Sequence, residues 1–174
     1  MNYNILNKAD EVIQAKINGD EIKGASLCVI HKGDTVYFRQ FGMADVARNI
    51  PMTKDSIFRC YSMTKPVTAA AVMSAVEKGL ISLSDTVDKV TLQNLLDMTA
   101  GVTYPDTSFP AGTYMQNMID QYYADLEAGK PTTTYDLANL IGQQPLEFEP
   151  GEGWRYSFCA DVLGAVLEVV TGKI

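Results

Sequence analysis

Apolar residues near the start of the chain recur every three or four positions, which is the period of one face of a helix. They are Leu6, Ala9, Val12, Ile13 and Ile17. Asn7 is a candidate N-cap for this segment, and Gly19 is a candidate stop. The pattern therefore predicts that the chain opens with an amphipathic helix.

Two β-rich segments follow, at residues 24–31 and 35–42. The compact sequence Lys-Gly-Asp between them is typical of a tight hairpin turn. No other strand pair is evident, although a stable sheet normally needs three or more strands. Both edges of the pair would be open, and the chain stops directly after a predicted helix. We therefore expect the first part of a larger fold.

The rest of the chain is predicted to be mainly helical, after a polar connection at residues 43–56. The segment behind Ser62 is apolar nearly all round, which predicts a buried helix ending at Gly79. Its apolar residues include Val67, Ala69, Ala70, Ala71, Val72, Ala75 and Val76.

Further helices are predicted through Leu95 and Leu96, and at residues 114–128 after a loop at 103–112. Thr134 is expected to cap a short helix, and a last helix is predicted over residues 160–170. Strands followed by helices predict an α/β fold of the α+β type.

The composition of the chain limits the classes of partner that we expect. The chain has 174 residues, 47% of them hydrophobic, which is enough for an ordinary hydrophobic core. A net charge of −7 argues against nucleic acid or an anionic membrane as a partner. No apolar run is long enough for a membrane span. The first residues lack a secretory pattern, so a cytoplasmic location is expected.

Cofactor and metal chemistry are not expected either. The three cysteines, Cys28, Cys60 and Cys159, are far apart in the chain, and there is one histidine. A zinc site needs several such ligands at close spacing. We therefore predict neither a metal site nor a cofactor.

Ser62 and Lys65 are the candidate reactive pair. A serine and a lysine three positions apart share one helix face, and Pro66 is typical of a first helical turn. A serine hydroxyl becomes nucleophilic when a neighbouring base takes its proton, and a partly desolvated lysine can be that base. A helix start also offers free backbone N–H groups for a developing oxyanion.

The motifs along the chain resemble those of the serine β-lactamase and penicillin-binding protein superfamily, and most closely the esterase-type members of its class C β-lactamase-like group. Residues 61–66 (Tyr-Ser-Met-Thr-Lys-Pro) resemble the active-serine motif. Residues 24–42 resemble the opening strand pair, and residues 95–101 (Leu-Leu-Asp-Met-Thr-Ala-Gly) resemble a segment that follows the nucleophile helix. Residues 150–164 resemble the second catalytic motif and the helix behind it. The resemblance covers nearly the whole chain.

The resemblance implies roles for three residues: Ser62 as nucleophile, Lys65 as its activating partner, and Tyr156 as the proton shuttle. A phenol beside an ammonium group has a lowered pKa, which suits that role. The implied reaction is acyl transfer through an acyl-enzyme. Phe158, Tyr61 and Trp154 are the candidate substrate-binding residues.

Two departures from the family pattern bear on substrate and activity. Phe158 occupies the position of an asparagine that is common in β-lactamases, which favours an esterase over β-lactam hydrolysis. The third motif, Lys/His-x-Gly on a later strand, is absent from this sequence. That strand supplies one oxyanion-hole donor, and removal of such a donor costs about 10²–10³ in rate.

The predicted fold is a β-lactamase-like mixed or antiparallel sheet with a helical region, and its C-terminal strands are absent. Residues 1–58 would supply the first helix and strand pair, residues 59–158 the helical region with both motifs, and residues 159–174 the helix leading back to the sheet. A fragment, a split or clipped protein, or a natural truncation would each account for the missing part.

Two functions remain open at this stage. The first is a cofactor-independent serine hydrolase that acts on small esters or amides, with carboxylesterase preferred over β-lactamase or D-peptidase. The second is a non-catalytic binding module that needs a complementary C-terminal chain. The open sheet edge is consistent with such a chain or with a second copy of this one.

Overall fold

Helix α1 (Asn7–Asn18) confirms the first predicted helix. In this computed structural model, which describes residues 3–173, a 3-10 turn at Tyr3–Leu6 runs directly into it. The N-cap is therefore Leu6, without a side-chain cap bond, and the prediction of Asn7 as the cap is wrong. Gly19 is the C-cap, as expected.

The predicted hairpin is confirmed, and it extends further than the sequence indicated. Strands β1 (Gly24–His31) and β2 (Asp34–Asp45) pair antiparallel. Lys32 and Gly33 both have positive φ, 53° and 90°, which gives the turn the twist of the two strands. An ion pair of 3.0 Å between Arg39 and Asp10 links β2 to α1.

A third strand, β3 (Ile50–Pro51), pairs with the end of β2, so the sheet order is β1-β2-β3. The expectation of a single strand pair is therefore wrong. Two residues, one of them a proline, carry no periodicity by which the sequence could reveal such a strand. These elements lie in the first of two compact units, Met1–Arg59, and the second is Cys60–Ile174.

The second unit is helical, with one two-residue strand pair. Its elements are α2 (Thr64–Glu77), β4 (Thr86–Val87), β5 (Val90–Thr91), α3 (Leu92–Leu96), α4 (Pro110–Glu127), α5 (Thr134–Gly142) and α6 (Cys159–Thr171). The buried core draws on α2 to α6, and its largest fully buried side chains include Leu92, Leu95, Met115, Ile141 and Val72. None of the helices within residues 3–173 combines the length and apolar character that a bilayer span requires.

Two helix starts differ from the predicted ones. Helix α4 begins at Pro110 and not at Tyr114, because proline fits the first turn of a helix, where its missing N–H costs nothing. The cap of α5 is Thr133 and not Thr134. Thr133 Oγ1 accepts from the Asp136 amide at 3.1 Å, while the Asp136 carboxylate accepts from the Thr133 amide at 2.9 Å. This reciprocal pair is a capping box.

Helix α2 is less buried than its composition predicted. Val72 and Ala75 are buried against the core, where α6 packs on α2. Val67 and Met73, on other sides of the helix, are 68% and 47% exposed. The prediction of burial all round is therefore wrong for the described residues, because an all-apolar pattern does not specify which face is covered.

Candidate active site

Ser62 lies in a 3-10 turn, Tyr61–Met63, that leads into α2. The turn begins with Tyr61 at φ +46°, a left-handed conformation that a bulky aromatic residue rarely adopts. Backbone strain of this kind clusters at functional sites. The predicted first turn, with Ser62 and Lys65 close together, therefore forms partly as 3-10 and partly as α-helix.

The backbone amides after Ser62 are not free in the way the sequence suggested. The Met63 N–H donates to the Cys60 carbonyl at 2.9 Å, and the Thr64 N–H donates within the same turn to the Tyr61 and Ser62 carbonyls. Pro66 has no N–H at all. The expectation that these amides would stabilise an oxyanion is therefore wrong for Met63 and Thr64.

Lys65 lies between two tyrosine rings. Its Nζ is 4.8 Å from the centroid of the Tyr156 ring and 5.8 Å from that of Tyr104. The two rings are 5.6 Å apart and tilted by 59° to each other. The ammonium group is thus placed against two phenols, which accept its hydrogen bonds and whose ring faces attract a cation.

Hydrogen bonds and burial set the protonation states of Lys65 and Tyr156. Hydrogen bonding with Ser62, and then with Lys65, lowers the pKa of the Tyr156 phenol from its ordinary value. Burial acts to lower the pKa of Lys65, but hydrogen bonds with Tyr104 and Tyr156 outweigh it, so the Lys65 pKa is raised. Both shifts favour a proton on Lys65 and its removal from Tyr156. Tyr156 is therefore the residue of the pair that loses its proton more readily, and the charge of Lys65 favours its phenolate form.

Asp161 adds a negative charge beside this pair. It lies in the first turn of α6, where burial raises the pKa of its carboxyl and the charge of Lys65 partly offsets that effect. Its charge in turn acts to raise the pKa of Tyr156. Asp161 therefore opposes Lys65 in setting the titration of the tyrosine.

The loop that carries Tyr156 is held by the segment after α3. The Arg155 amide donates to the Met98 carbonyl at 3.0 Å, and the Gly151 amide donates to the Thr99 carbonyl at 2.8 Å. The Arg155 guanidinium also pairs with the Glu147 carboxylate. These contacts give residues 95–101, recognised in the sequence as a motif, a structural role: they fix the loop next to Tyr156.

Gly101 allows the same two segments to approach closely. Its φ is +78°, and a Cβ at this position would lie 2.2 Å from the Phe148 carbonyl oxygen. The Gly101 carbonyl accepts from the Glu147 amide at 2.8 Å. A larger residue would therefore separate the two segments that position Tyr156.

Ser62, Lys65 and Tyr156 line one pocket of about 460 Å³. Its wall is largely apolar and includes Trp154, which is 65% exposed, and Met98. A second pocket, of about 270 Å³, is also lined by Lys65, together with Tyr61 and Asp161 among others. The larger pocket thus brings a serine hydroxyl, an ammonium group and a phenol next to a small, mostly apolar cavity that could hold a ligand.

The predicted substrate-binding residues lie in different places. Trp154 lines the larger pocket, and Tyr61 lines the smaller one. Phe158 contributes to neither lining, since it packs against the core and against the Tyr104 ring. A binding role for these three residues stays a prediction.

Tyr104 and Asp161 were missed as site residues from the sequence. Tyr104 stands three residues after Gly101, the end of the 95–101 motif, but in a segment whose prolines and hydroxyls predicted only a loop. Asp161 lies in the 150–164 segment that resembles the second motif and its helix, but the resemblance implied no role for it. Its position five residues after the tyrosine, in the first turn of a helix, was the available signal.

Comparison with known proteins shows the family to which the chain belongs. The chain matches the Beta-lactamase family over residues 9–173. It is 32% identical to esterase EstB of Burkholderia gladioli over 95% of this chain and 45% of that protein. It is also 32% identical to penicillin-binding protein 4* of Bacillus subtilis, over 78% of this chain and 30% of that protein.

A solved structure shows the same fold. EstCE1, described as a hydrolase with promiscuous acyltransferase activity, superposes with a TM-score of 0.76 at 27% identity. The match covers 96% of this chain and 47% of EstCE1, so the chain spans about half of the relatives' length or less. The predicted β-lactamase-like fold and the predicted family are both confirmed: the chain belongs to the Beta-lactamase family, within the serine β-lactamase and penicillin-binding protein superfamily.

Proposed function

We propose that the protein is a serine hydrolase that acts through an acyl-enzyme on small esters or amides, with a carboxylesterase preference. The observation that carries this proposal is the placement of Lys65 Nζ 4.8 Å from the Tyr156 ring centroid, in a pocket that Ser62 also lines. A nucleophilic serine needs a base beside it, and a phenol with a lowered pKa can be that base. A lysine with a purely structural role would not require such a phenol next to a serine hydroxyl.

The reaction follows from these groups. The Tyr156 phenolate takes the proton of the Ser62 hydroxyl while Ser62 Oγ bonds to the substrate carbonyl carbon. The bond from that carbon to the leaving oxygen or nitrogen then breaks, and the proton on Tyr156 passes to the leaving group. Water attacks the acyl-enzyme in the same way, which releases the acid and restores Ser62. Lys65 stays cationic throughout and stabilises the phenolate.

Three observations support the ester preference. Phe158 replaces an amide side chain that would recognise an amide substrate. The wall of the larger pocket is mostly apolar, which suits an acyl chain. The relative EstB is an esterase by name, and the matched structure EstCE1 is described as a hydrolase. The net charge of −7 supports a small-molecule substrate over a nucleic acid.

The test is covalent labelling with a fluorophosphonate, followed by intact-mass spectrometry of the chain. We expect one adduct, located on Ser62 by peptide mapping and absent in Ser62→Ala. Ser84→Ala is the matched control, because Ser84 is an exposed turn serine of the same unit. Hydrolysis of p-nitrophenyl acetate, of p-nitrophenyl butyrate and of a chromogenic cephalosporin is measured alongside.

The outcomes separate the alternatives. Labelling of Ser62 with faster turnover of esters than of the cephalosporin supports an esterase. Faster turnover of the cephalosporin contradicts the ester preference. A folded chain without any adduct contradicts the hydrolase proposal for this chain and favours a binding role.

A further inference from the structure

Tyr104 occupies a position that the proposed reaction does not explain. It lies in the loop between α3 and α4, half-buried, with its ring 5.8 Å from Lys65 Nζ and 5.6 Å from the Tyr156 ring. Its third close contact is Phe158, whose ring centroid is 4.5 Å away at 75°. Tyr104 thus touches three groups at the site and lines neither of the two pockets beside Lys65.

The hydrogen bonding of Lys65 points to a specific role for this phenol. An ammonium group has three N–H donors and a flexible stem. Lys65 uses its donors on both Tyr104 and Tyr156, and both bonds favour its charged form. With two fixed acceptors, the ammonium group is restricted to the space between the rings, where it faces Tyr156.

The contact with Phe158 explains why the Tyr104 ring stays in that position. An edge-to-face pair at this distance is a favourable arrangement for two aromatic rings. Phe158 is itself anchored, because it is the N-cap residue of α6 and packs against the core. Phe158, which stands where β-lactamases of the family commonly have asparagine, therefore packs against another aromatic residue of the same chain.

We propose that Tyr104 is a positioning residue that holds the Lys65 ammonium group against Tyr156, and that Phe158 braces the Tyr104 ring for this purpose. The proposal rests on the proposed function, since it assigns a role within the same site. It gives Phe158 a role in supporting the lysine in place of the substrate-binding role expected from the sequence.

The test measures the charge state of Lys65 directly. The chain is labelled with 13C-lysine, and the resonance of Lys65 is assigned with Lys65→Arg and titrated by NMR. Tyr104→Phe keeps the ring and removes the hydroxyl, and Phe158→Met removes the aromatic edge at similar volume. Tyr114→Phe, at an exposed tyrosine of α4, is the control. Asp161, the charged group of α6 next to Lys65, is left unchanged in every variant.

We expect the Lys65 pKa to fall in Tyr104→Phe and in Phe158→Met, and to stay at the wild-type value in Tyr114→Phe. The double variant Tyr104→Phe/Phe158→Met should equal Tyr104→Phe alone, because Phe158 acts through the Tyr104 hydroxyl. An unchanged Lys65 pKa in Tyr104→Phe overturns the proposal. Additive effects in the double variant overturn the bracing role of Phe158.

A second readout links the inference to the reaction. Fluorophosphonate labelling of Ser62 at neutral pH should slow by about tenfold in Tyr104→Phe, a modest share of what acid–base groups contribute. Far-UV circular dichroism of each variant establishes that it is folded. If Phe158→Met is not folded, Phe158→Leu and Phe158→Tyr replace it in the same cycle, and Tyr104→Phe alone still decides the main claim.

The two proposals fail in different ways. If Lys65 titrates differently in Tyr104→Phe but Ser62 takes no label in any variant, the positioning role stands and the hydrolase proposal fails. If Ser62 is labelled but neither the Lys65 pKa nor the labelling rate changes in Tyr104→Phe, the hydrolase proposal stands and Tyr104 is a packing residue only.

Discussion

The amino group of Lys65 lies 4.8 Å from the centre of the Tyr156 ring, and each residue shifts the titration of the other. The lysine pKa is raised and the tyrosine pKa is lowered, so the proton is favoured on nitrogen. In the proposed reaction, this relationship gives the base role to the phenol and the electrostatic role to the ammonium group. The predictions below depend on it.

The reactivity of Ser62 should rise with pH as Tyr156 loses its proton. The reactive form is the phenolate, which is present above the Tyr156 pKa and is lost as the pH falls through it. Because hydrogen bonding with Ser62 and Lys65 lowers this pKa from 10.0, the rise should occur below the ordinary range of a tyrosine. The measurement is the rate of fluorophosphonate labelling against pH, and Tyr156→Phe should abolish the rise.

Removal of the Lys65 charge should raise the pKa of Tyr156 and slow the labelling of Ser62. In Lys65→Met the phenolate loses its cation, so the Tyr156 pKa rises and labelling of Ser62 slows by on the order of 10²–10⁴ at neutral pH. The Tyr156 pKa is measured by 13C NMR of ring-labelled tyrosine and assigned with Tyr156→Phe. Lys78→Met, at the C-cap of the same helix, is the matched control. A Tyr156 pKa that does not rise in Lys65→Met is incompatible with the proposed pairing.

Asp161→Asn should lower the Tyr156 pKa further. The Asp161 carboxylate repels a phenolate, so its replacement by a neutral amide removes a charge that raises this pKa. The pH at which Ser62 labelling rises should therefore move downward in Asp161→Asn, and the tyrosine NMR titration should move with it. Asp136→Asn, in the first turn of α5, serves as the control for a neutralised helix start. A shift of the profile to higher pH would contradict the assigned sign.

Gly101→Ala should destabilise the helical unit more than Gly79→Ala. Both glycines have positive φ, 78° and 69°, which costs an alanine about 1–2 kcal/mol. Only at Gly101 would the new Cβ meet a backbone oxygen, and that overlap should add about 1–3 kcal/mol. Urea unfolding of the two variants gives the difference. Equal free energies of unfolding would show that residues 98–101 and 147–155 tolerate separation.

Local signals in the sequence predicted much of the first unit and the start of the site. The turn at Lys32 and Gly33 and the serine–lysine spacing each depend on a few neighbouring residues, so a short window contains the information. Strand β3 depends on pairing with β2, and two residues cannot show that preference alone. The cap of α5, by contrast, is a local signal, because Thr133 and Asp136 have the spacing of a capping box; the prediction of Thr134 as the cap did not use that spacing.

The remaining parts of the site arise from contacts between distant segments. Tyr104 reaches Lys65 because the loop between α3 and α4 passes close to the start of α2, and no periodicity in residues 103–112 indicates that path. The engaged amides of Met63 and Thr64 depend on a 3-10 turn, whereas the spacing indicated an α-helical one. The resemblance to a family supplied Tyr156, which its local sequence alone would not distinguish from a packing tyrosine.

The long-range anchoring of the Tyr156 loop also determines the order in which the site is built during folding. Ser62 and Lys65 come together within a single helical turn, which forms quickly and locally. The loop of Tyr156 is anchored by the bonds of Arg155 and Gly151 to the Met98 and Thr99 carbonyls. We expect these distant pairings to form later, because a long loop must close first. If Tyr156 is the base of the proposed reaction, we expect Ser62 to stay unreactive towards a fluorophosphonate until the folded state is reached.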